Sequence, residues 1–244
     1  MNPIKILIDL IYPPRCLVCG KFLDNHASGI EGAFCSECLG DFTPITSPHC
    51  TICGSPFVTT EGEDHPCERC LRKPPHFEAI CAPYLYQGAL MDAIHRFKYG
   101  PKSSYAKHLG PLLGDFAGRR VEVEKATVLM PVPLHPKKLR QRGFNQSLLL
   151  ARYVAREIEC KLDFLSLRRV KYTESQTGLK QDERRKNVKG AFRVVKPGVV
   201  KGQEVLLVDD VATTAHTLNE CARVLLKAGA ERVRCLVLAR TGNI

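Results

Sequence analysis

The pattern of apolar and polar residues changes character near residue 80. Before it, residues 13–76 show no sustained helical or strand period. After it, apolar runs alternate with amphipathic stretches. ALMDAIHRF at 89–97 has helical spacing, and Pro101 is expected to end that helix. TVLMPVP at 127–133 reads as a buried strand stopped by prolines. Asn145 is placed to cap a helix whose Leu148, Ala151, Ala155 and Ile158 share one face. EVLLV at 204–208 is a second buried strand. Leu218, Cys221, Ala222, Leu225 and Leu226 then recur at helical spacing, with Gly229 just past the end and VRCLVLA at 233–239 as the return strand. Strand, helix and strand in so short a span predict a right-handed βαβ crossover in a parallel sheet, hence an α/β fold. The apolar start, IKILIDLIY at 4–12, carries Asp9 and predicts a short docking helix or core segment rather than a signal peptide. No window approaches the ~18 apolar residues of a membrane span, so a cytoplasmic protein is expected.

The irregular first part is explained by its cysteines. Eight of the 12 fall in C-x-x-C pairs: Cys16/Cys19, Cys35/Cys38, Cys50/Cys53 and Cys67/Cys70. With no secretion signal, this is zinc grammar rather than a disulfide framework. The pattern repeats, C-x2-C-x15-C-x2-C followed by C-x2-C-x13-C-x2-C. Each unit supplies four thiolates for one tetrahedral structural Zn²⁺, about two ions in all. Spacing alone leaves sequential and cross-braced pairing both open. Metal then supplies the folding energy that a core cannot. Two domains are expected, a double zinc ribbon at 1–76 and an α/β domain at 77–244. Cys81, Cys160, Cys221 and Cys235 stand alone and read as buried thiols.

Charge adds a hint about partners. The formal net charge is +11. Two zinc-bound tetrathiolates reduce it to about +7. The surplus crowds into 119–200, a surface suited to nucleic acid, a phosphorylated small molecule, or both.

The most informative stretch is VLLVDDVATTAHTL at 205–218. Ligands of open parallel sheets bind beyond the carboxyl ends of the strands, where Asp209 and Asp210 fall. The loop Ala212, Thr213, Thr214, Ala215, His216 and Thr217 leads into a helix N-terminus, whose free N–H groups attract phosphate. A ligand satisfying both halves carries vicinal hydroxyls and a phosphate, as a ribose 5-phosphate does. The chain has no G-x-x-x-x-G-K-[ST], which weighs against a nucleotide triphosphatase.

This stretch resembles the 5-phosphoribosyl-1-pyrophosphate (PRPP) motif of type I phosphoribosyltransferases. PVPLHPKKLRQRGFNQS at 131–147 and TESQTGLKQDERRKNVKGAF at 173–192 resemble signature blocks of the ComF family, which also carries an N-terminal double zinc ribbon. The resemblance implies a type I phosphoribosyltransferase-like domain that binds PRPP with Mg²⁺ and transfers the phosphoribosyl group to an unidentified acceptor. It also implies links to DNA uptake in competence or to nucleotide metabolism, with single-stranded DNA or DNA-uptake and recombination proteins as partners. The alternative is a non-catalytic zinc-ribbon protein handling single-stranded DNA, with PRPP as a regulatory ligand. By resemblance, Leu134, His135, Arg140 and Arg142 lie on the pyrophosphate loop, whereas Lys137 and Lys138 read as a solvated basic face. Residues 171–189 are expected to form a lid carrying Thr173, Gln176 and Arg184, with Arg184 joining Asp209 and Asp210 as catalytic residues. Lys98 and Tyr99 lie in another family word, F-K-Y-G, with no assigned role. Ala215 stands where the family commonly has glycine, and its methyl is tolerable there if the backbone keeps a negative φ.

Overall fold

The computed structural model describes residues 13–23, 29–59, 61–100, 103–121, 127–172 and 188–242. The expected helix or core segment at 4–12 lies outside them, as do Pro101 and, within the expected lid, Thr173, Gln176 and Arg184.

A parallel sheet forms the centre. Its strands are β1 (Ile80–Cys81), β2 (Tyr84–Leu85), β3 (Thr127–Pro131), β4 (Lys161–Leu162), β7 (Glu204–Ala212) and β8 (Arg232–Arg240), while β5 (Leu167–Arg169) and β6 (Phe192–Val194) form a separate antiparallel pair. The spatial order is β1-β8-β7-β3-β4, with β2 also pairing β8. The expected βαβ unit is present: β7, α7 (His216–Lys227) and β8, with β7 and β8 parallel from Glu204↔Arg232 to Ala212↔Arg240. One boundary differs from expectation. β7 runs on through Asp209 and Asp210 to Ala212, because β8 beside it keeps accepting and donating backbone bonds at Val237 and Ala239.

Alternation along the strands explains why these sequences are apolar throughout. Leu206 and Val208 face one core, with Leu129, Leu236 and Leu238. Val205 and Leu207 face the other, with Val128, Met130, Cys235 and Val237. A strand covered on both sides has no polar face to show. The first core is closed by α3 (Gly88–Tyr99), α4 (Ala106–Arg120) and α6 (Gln146–Glu157), the second by the Leu218, Cys221, Ala222 and Leu225 stripe of α7. Cys221 and Cys235 are buried, as expected, while Cys81 and Cys160 are partly buried. Helices α4 and α6 approach closely because Gly110 has no side chain: a Cβ there would lie 2.2 Å from the Tyr153 ring.

The cysteine-rich part packs on this body. It contributes two short helices, α1 (Ser36–Gly40) and α2 (Glu68–Arg72), each beginning just after a cysteine that opens a C-x-x-C pair. Phe34 and Phe42 enter the first core, their rings 5.3 Å apart. Asp41 Oδ2 accepts from Ala89 N at 2.6 Å and so supplies the N-terminal cap that α3 lacks of its own. Gly88 makes room for it: with φ at 52°, a Cβ would fall 2.1 Å from that oxygen. The second unit reaches the sheet edge, where Ile80 N donates to Ile52 O at 2.8 Å.

Candidate functional site

The thiols assemble in sequential units. Cys16, Cys19, Cys35 and Cys38 form one cluster and Cys50, Cys53, Cys67 and Cys70 the other, with the sulfurs of each within 4.8 Å of one another. Cys19 and Cys35 Sγ are 3.6 Å apart, and Cys53 and Cys67 Sγ 3.9 Å. Tetrahedral Zn–S bonds of ~2.3 Å place sulfurs about 3.8 Å apart. Both clusters therefore fit structural Zn²⁺, and the pairing that spacing left open is sequential. Backbone donors complete the second: Cys67 N reaches Cys50 Sγ at 3.2 Å and Cys53 N at 3.4 Å.

At the carboxyl ends of β3 and β7 lies a cavity of about 320 Å³. Its wall includes Asp209, Asp210, the loop from Ala212 to Thr217, Leu134 and Arg142. Those predicted residues, distant in sequence, meet on one cavity. His135 and Arg140 do not line it. His135 instead caps α5 (Pro136–Arg142): its Nδ1 accepts from Lys137 N at 3.2 Å and its ring packs on Tyr172. Arg140 is exposed. Arg142 donates to Gln146 Oε1 at 2.6 Å and lies over the Tyr99 ring. Lys138, expected on a solvated face, lines the cavity, where burial and the charges of Arg169 and Arg142 lower its pKa.

The acidic pair is buried, Asp210 to 3% exposure. Asp209 Oδ1 accepts from Ser147 Oγ at 2.7 Å and from Asp210 N at 2.9 Å. Burial and the Asp210 charge raise the Asp209 pKa to about 7. Lys98 Nζ lies 3.0 Å from Asp210 Oδ1. Burial alone would lower the Lys98 pKa, but the charges of Asp210 and Asp209 outweigh it and raise the pKa. Asp210 Oδ2 is buried without a hydrogen-bond partner. An orphaned acceptor in a cavity suits a ligand that brings a donor.

Lys98, Ser147 and Arg169 also line the cavity, and sequence reasoning gave none of them a role. For Lys98 a signal existed: Leu90, Ile94 and Lys98 follow at i, i+4 and i+8, so a charge continues the buried stripe of α3.

Ala215 has φ 59° and ψ 12°, so the negative φ that would make its methyl easy to tolerate is not met. As the N-cap of α7 it turns the chain in the left-handed region, a conformation glycine adopts more cheaply. The alanine is nearly buried, so surrounding packing holds it there.

A family model described as "Double zinc ribbon domain" matches residues 7–71. One described as "Phosphoribosyl transferase domain" matches 145–243. The chain is 34% identical over 235 residues to the "DNA utilization protein YhgH" of Escherichia coli K12, covering 95% of this chain and 99% of that one. It is 31% identical over 230 residues to "Competence protein F" of Haemophilus influenzae, covering 93% and 96%. Among solved structures, the glutamine PRPP amidotransferase from B. subtilis complexed with ADP and GMP is 23% identical over 53% of this chain and 26% of that one, with a TM-score of 0.37. That likeness is too loose to add to the fold described above. Among the described residues no helix is long and apolar enough to cross a membrane.

Proposed function

The chain belongs to the ComF family, that of competence protein F and the DNA utilization protein YhgH, and from that premise we propose that it binds PRPP in the cavity beside Asp209 and transfers the phosphoribosyl group. The observation that carries this reading is the buried Asp210 Oδ2 without a partner, on a residue that lines the same cavity as the threonine loop. Asp209 and Asp210 accept from the ribose hydroxyls. The N–H groups and hydroxyls of 213–217 hold the 5-phosphate. Arg142 offers its planar fork to the pyrophosphate. The division near residues 76 and 77 and the lid at 171–189, with Thr173, Gln176 and Arg184, belong to the same proposal.

In the reaction the C1–O bond breaks, pyrophosphate leaves with the bonding pair, and an acceptor nucleophile attacks C1. The carboxylate oxygens of Asp209 and Asp210 would hold a Mg²⁺ entering with PRPP, which would supply positive charge beside the pyrophosphate. The chain's own work is positioning and charge stabilisation. Calorimetric titration with Mg²⁺ and PRPP tests binding, and pyrophosphate release in the presence of a metabolite pool tests transfer. A chain that binds no PRPP would sink the reading.

One observation favours a second reading, in which the protein handles single-stranded DNA and PRPP regulates it. A cavity of about 430 Å³ between the second cysteine cluster and α7 is lined by Arg69, Lys73, Lys189 and Arg223. Single-stranded DNA binding that weakens steeply with salt, without pyrophosphate release, would support that reading over transfer.

A further inference from the structure

Arg240 is 2% exposed, and among the described residues no carboxylate forms an ion pair with it. A buried guanidinium is costly unless its donors are satisfied. Here Nε and Nη1 find acceptors, mostly backbone carbonyls, in two distant places. Nε donates to Cys53 O at 2.9 Å, the carbonyl of a residue in the second four-cysteine cluster. Nη1 donates to Ala212 O at 3.0 Å, to Thr213 O, and to Thr241 Oγ1 at 2.9 Å. One side chain thus joins a metal knuckle to the first two residues of the phosphate loop.

The consequence follows from peptide geometry. In a trans peptide the C=O and the next N–H point in opposite directions. Holding the carbonyls of Ala212 and Thr213 on the Arg240 side turns the N–H groups of Thr213 and Thr214 the other way. Both threonines line the cavity proposed for PRPP. Cys53 keeps its place through the knuckle: Cys53 N donates to Cys50 Sγ, and Arg69 Nη2 approaches Cys53 Sγ at 3.7 Å. A Zn²⁺ tetrathiolate carries a net charge of about −2, a favourable neighbour for the two guanidiniums.

We propose that Arg240 is a positioning residue that aims the phosphate-loop N–H groups, and that zinc in the second knuckle, but not the first, is required for it to do so. The inference rests on the PRPP reading of the same loop. Arg240 touches no substrate; it acts through the carbonyls it holds.

The test compares four full-length proteins by calorimetry with Mg²⁺ and PRPP, each checked by elemental analysis for zinc and by circular dichroism for fold. Cys67→Ser removes a second-knuckle ligand and Cys35→Ser a first-knuckle ligand. Arg240→Lys keeps the charge and loses the fork. Cys67→Ser and Arg240→Lys should each weaken PRPP by at least about tenfold, ~1.4 kcal/mol. Cys35→Ser should lose one zinc and stay within about threefold of the parent, since Arg240 is bonded to Cys53 of the second cluster. Parental affinity in Cys67→Ser, or equal losses in the two cysteine variants, overturns the inference. Should Arg240→Lys not fold, the two cysteine variants decide alone. Should the parent bind no PRPP, the proposed function fails first. The series is then read with inorganic phosphate through the ¹⁵N amide shifts of Thr213 and Thr214. Amides that move in the parent and in Cys35→Ser but not in Cys67→Ser support the inference; amides still in the parent overturn it.

Discussion

Replacing Asp209 by asparagine should stabilise the ligand-free protein and weaken its hold on PRPP. The substitution keeps shape, and its Oδ1 can still accept from Ser147 Oγ and Asp210 N. What it removes is a second negative charge beside Asp210. The rise of the Asp209 pKa from 3.8 to about 7 corresponds to on the order of 4 kcal/mol, at ~1.4 kcal/mol per tenfold. Water in the open cavity screens part of that charge, so a gain of about 1–3 kcal/mol at pH 8 is expected. The folded pKa lies above the unfolded one. The carboxyl's stability contribution is therefore complete below ~pH 4 and is lost as pH rises through about 7. The gap between variant and parent should open across that window and be clearly smaller at pH 5 than at pH 8. Urea midpoints at the two pH values measure it. PRPP affinity at pH 8 should fall by about 1.5–3 kcal/mol, the scale of a hydrogen bond to a charged group. A variant less stable than the parent at pH 8, or a gap flat between pH 5 and 8, would refute the reasoning. Unchanged PRPP affinity would instead remove Asp209 from the ribose site.

Three further outcomes are expected. Lys98→Met leaves Asp210 buried without its ion pair, so it should cost about 3 kcal/mol in urea unfolding at pH 8; parental stability would show the pair to be incidental. Ala215→Gly should hold thermal stability within about 1 kcal/mol of the parent, because glycine accepts the positive φ at some cost in chain entropy. Ala215→Val, β-branched at the same φ, should lose at least about 1–2 kcal/mol, and equal behaviour of the two would mean the turn has another shape in solution. Purified protein should carry about two zinc ions per chain by elemental analysis, four thiolates to each; eight cysteines recovered as disulfides would sink the ribbon assignment.

The features legible in the sequence are those whose physical signal is local. A C-x-x-C pair announces a metal ligand wherever it lies, because two thiolates three residues apart can share one ion. The apolar runs of β7 and β8 and the stripe of α7 name a parallel βαβ unit, because period and burial are tied within each element. Asp209 and Asp210 stand out because such a unit places them towards the carboxyl end of a strand. The tertiary structure decided what depends on partners far along the chain. It chose sequential over cross-braced thiols. It brought Ser147 to Asp209 across 62 positions and turned Lys98, a charge with no assigned role, onto Asp210. It withdrew His135 from the cavity to cap a helix, and drew in Lys138. It set Ala215 at a positive φ that no alanine announces. The contact between Arg240 and Cys53 spans 187 positions, so no window of sequence contains both ends of it. Chain folding alone brings such residues together, and the energy that holds them belongs to neither local stretch.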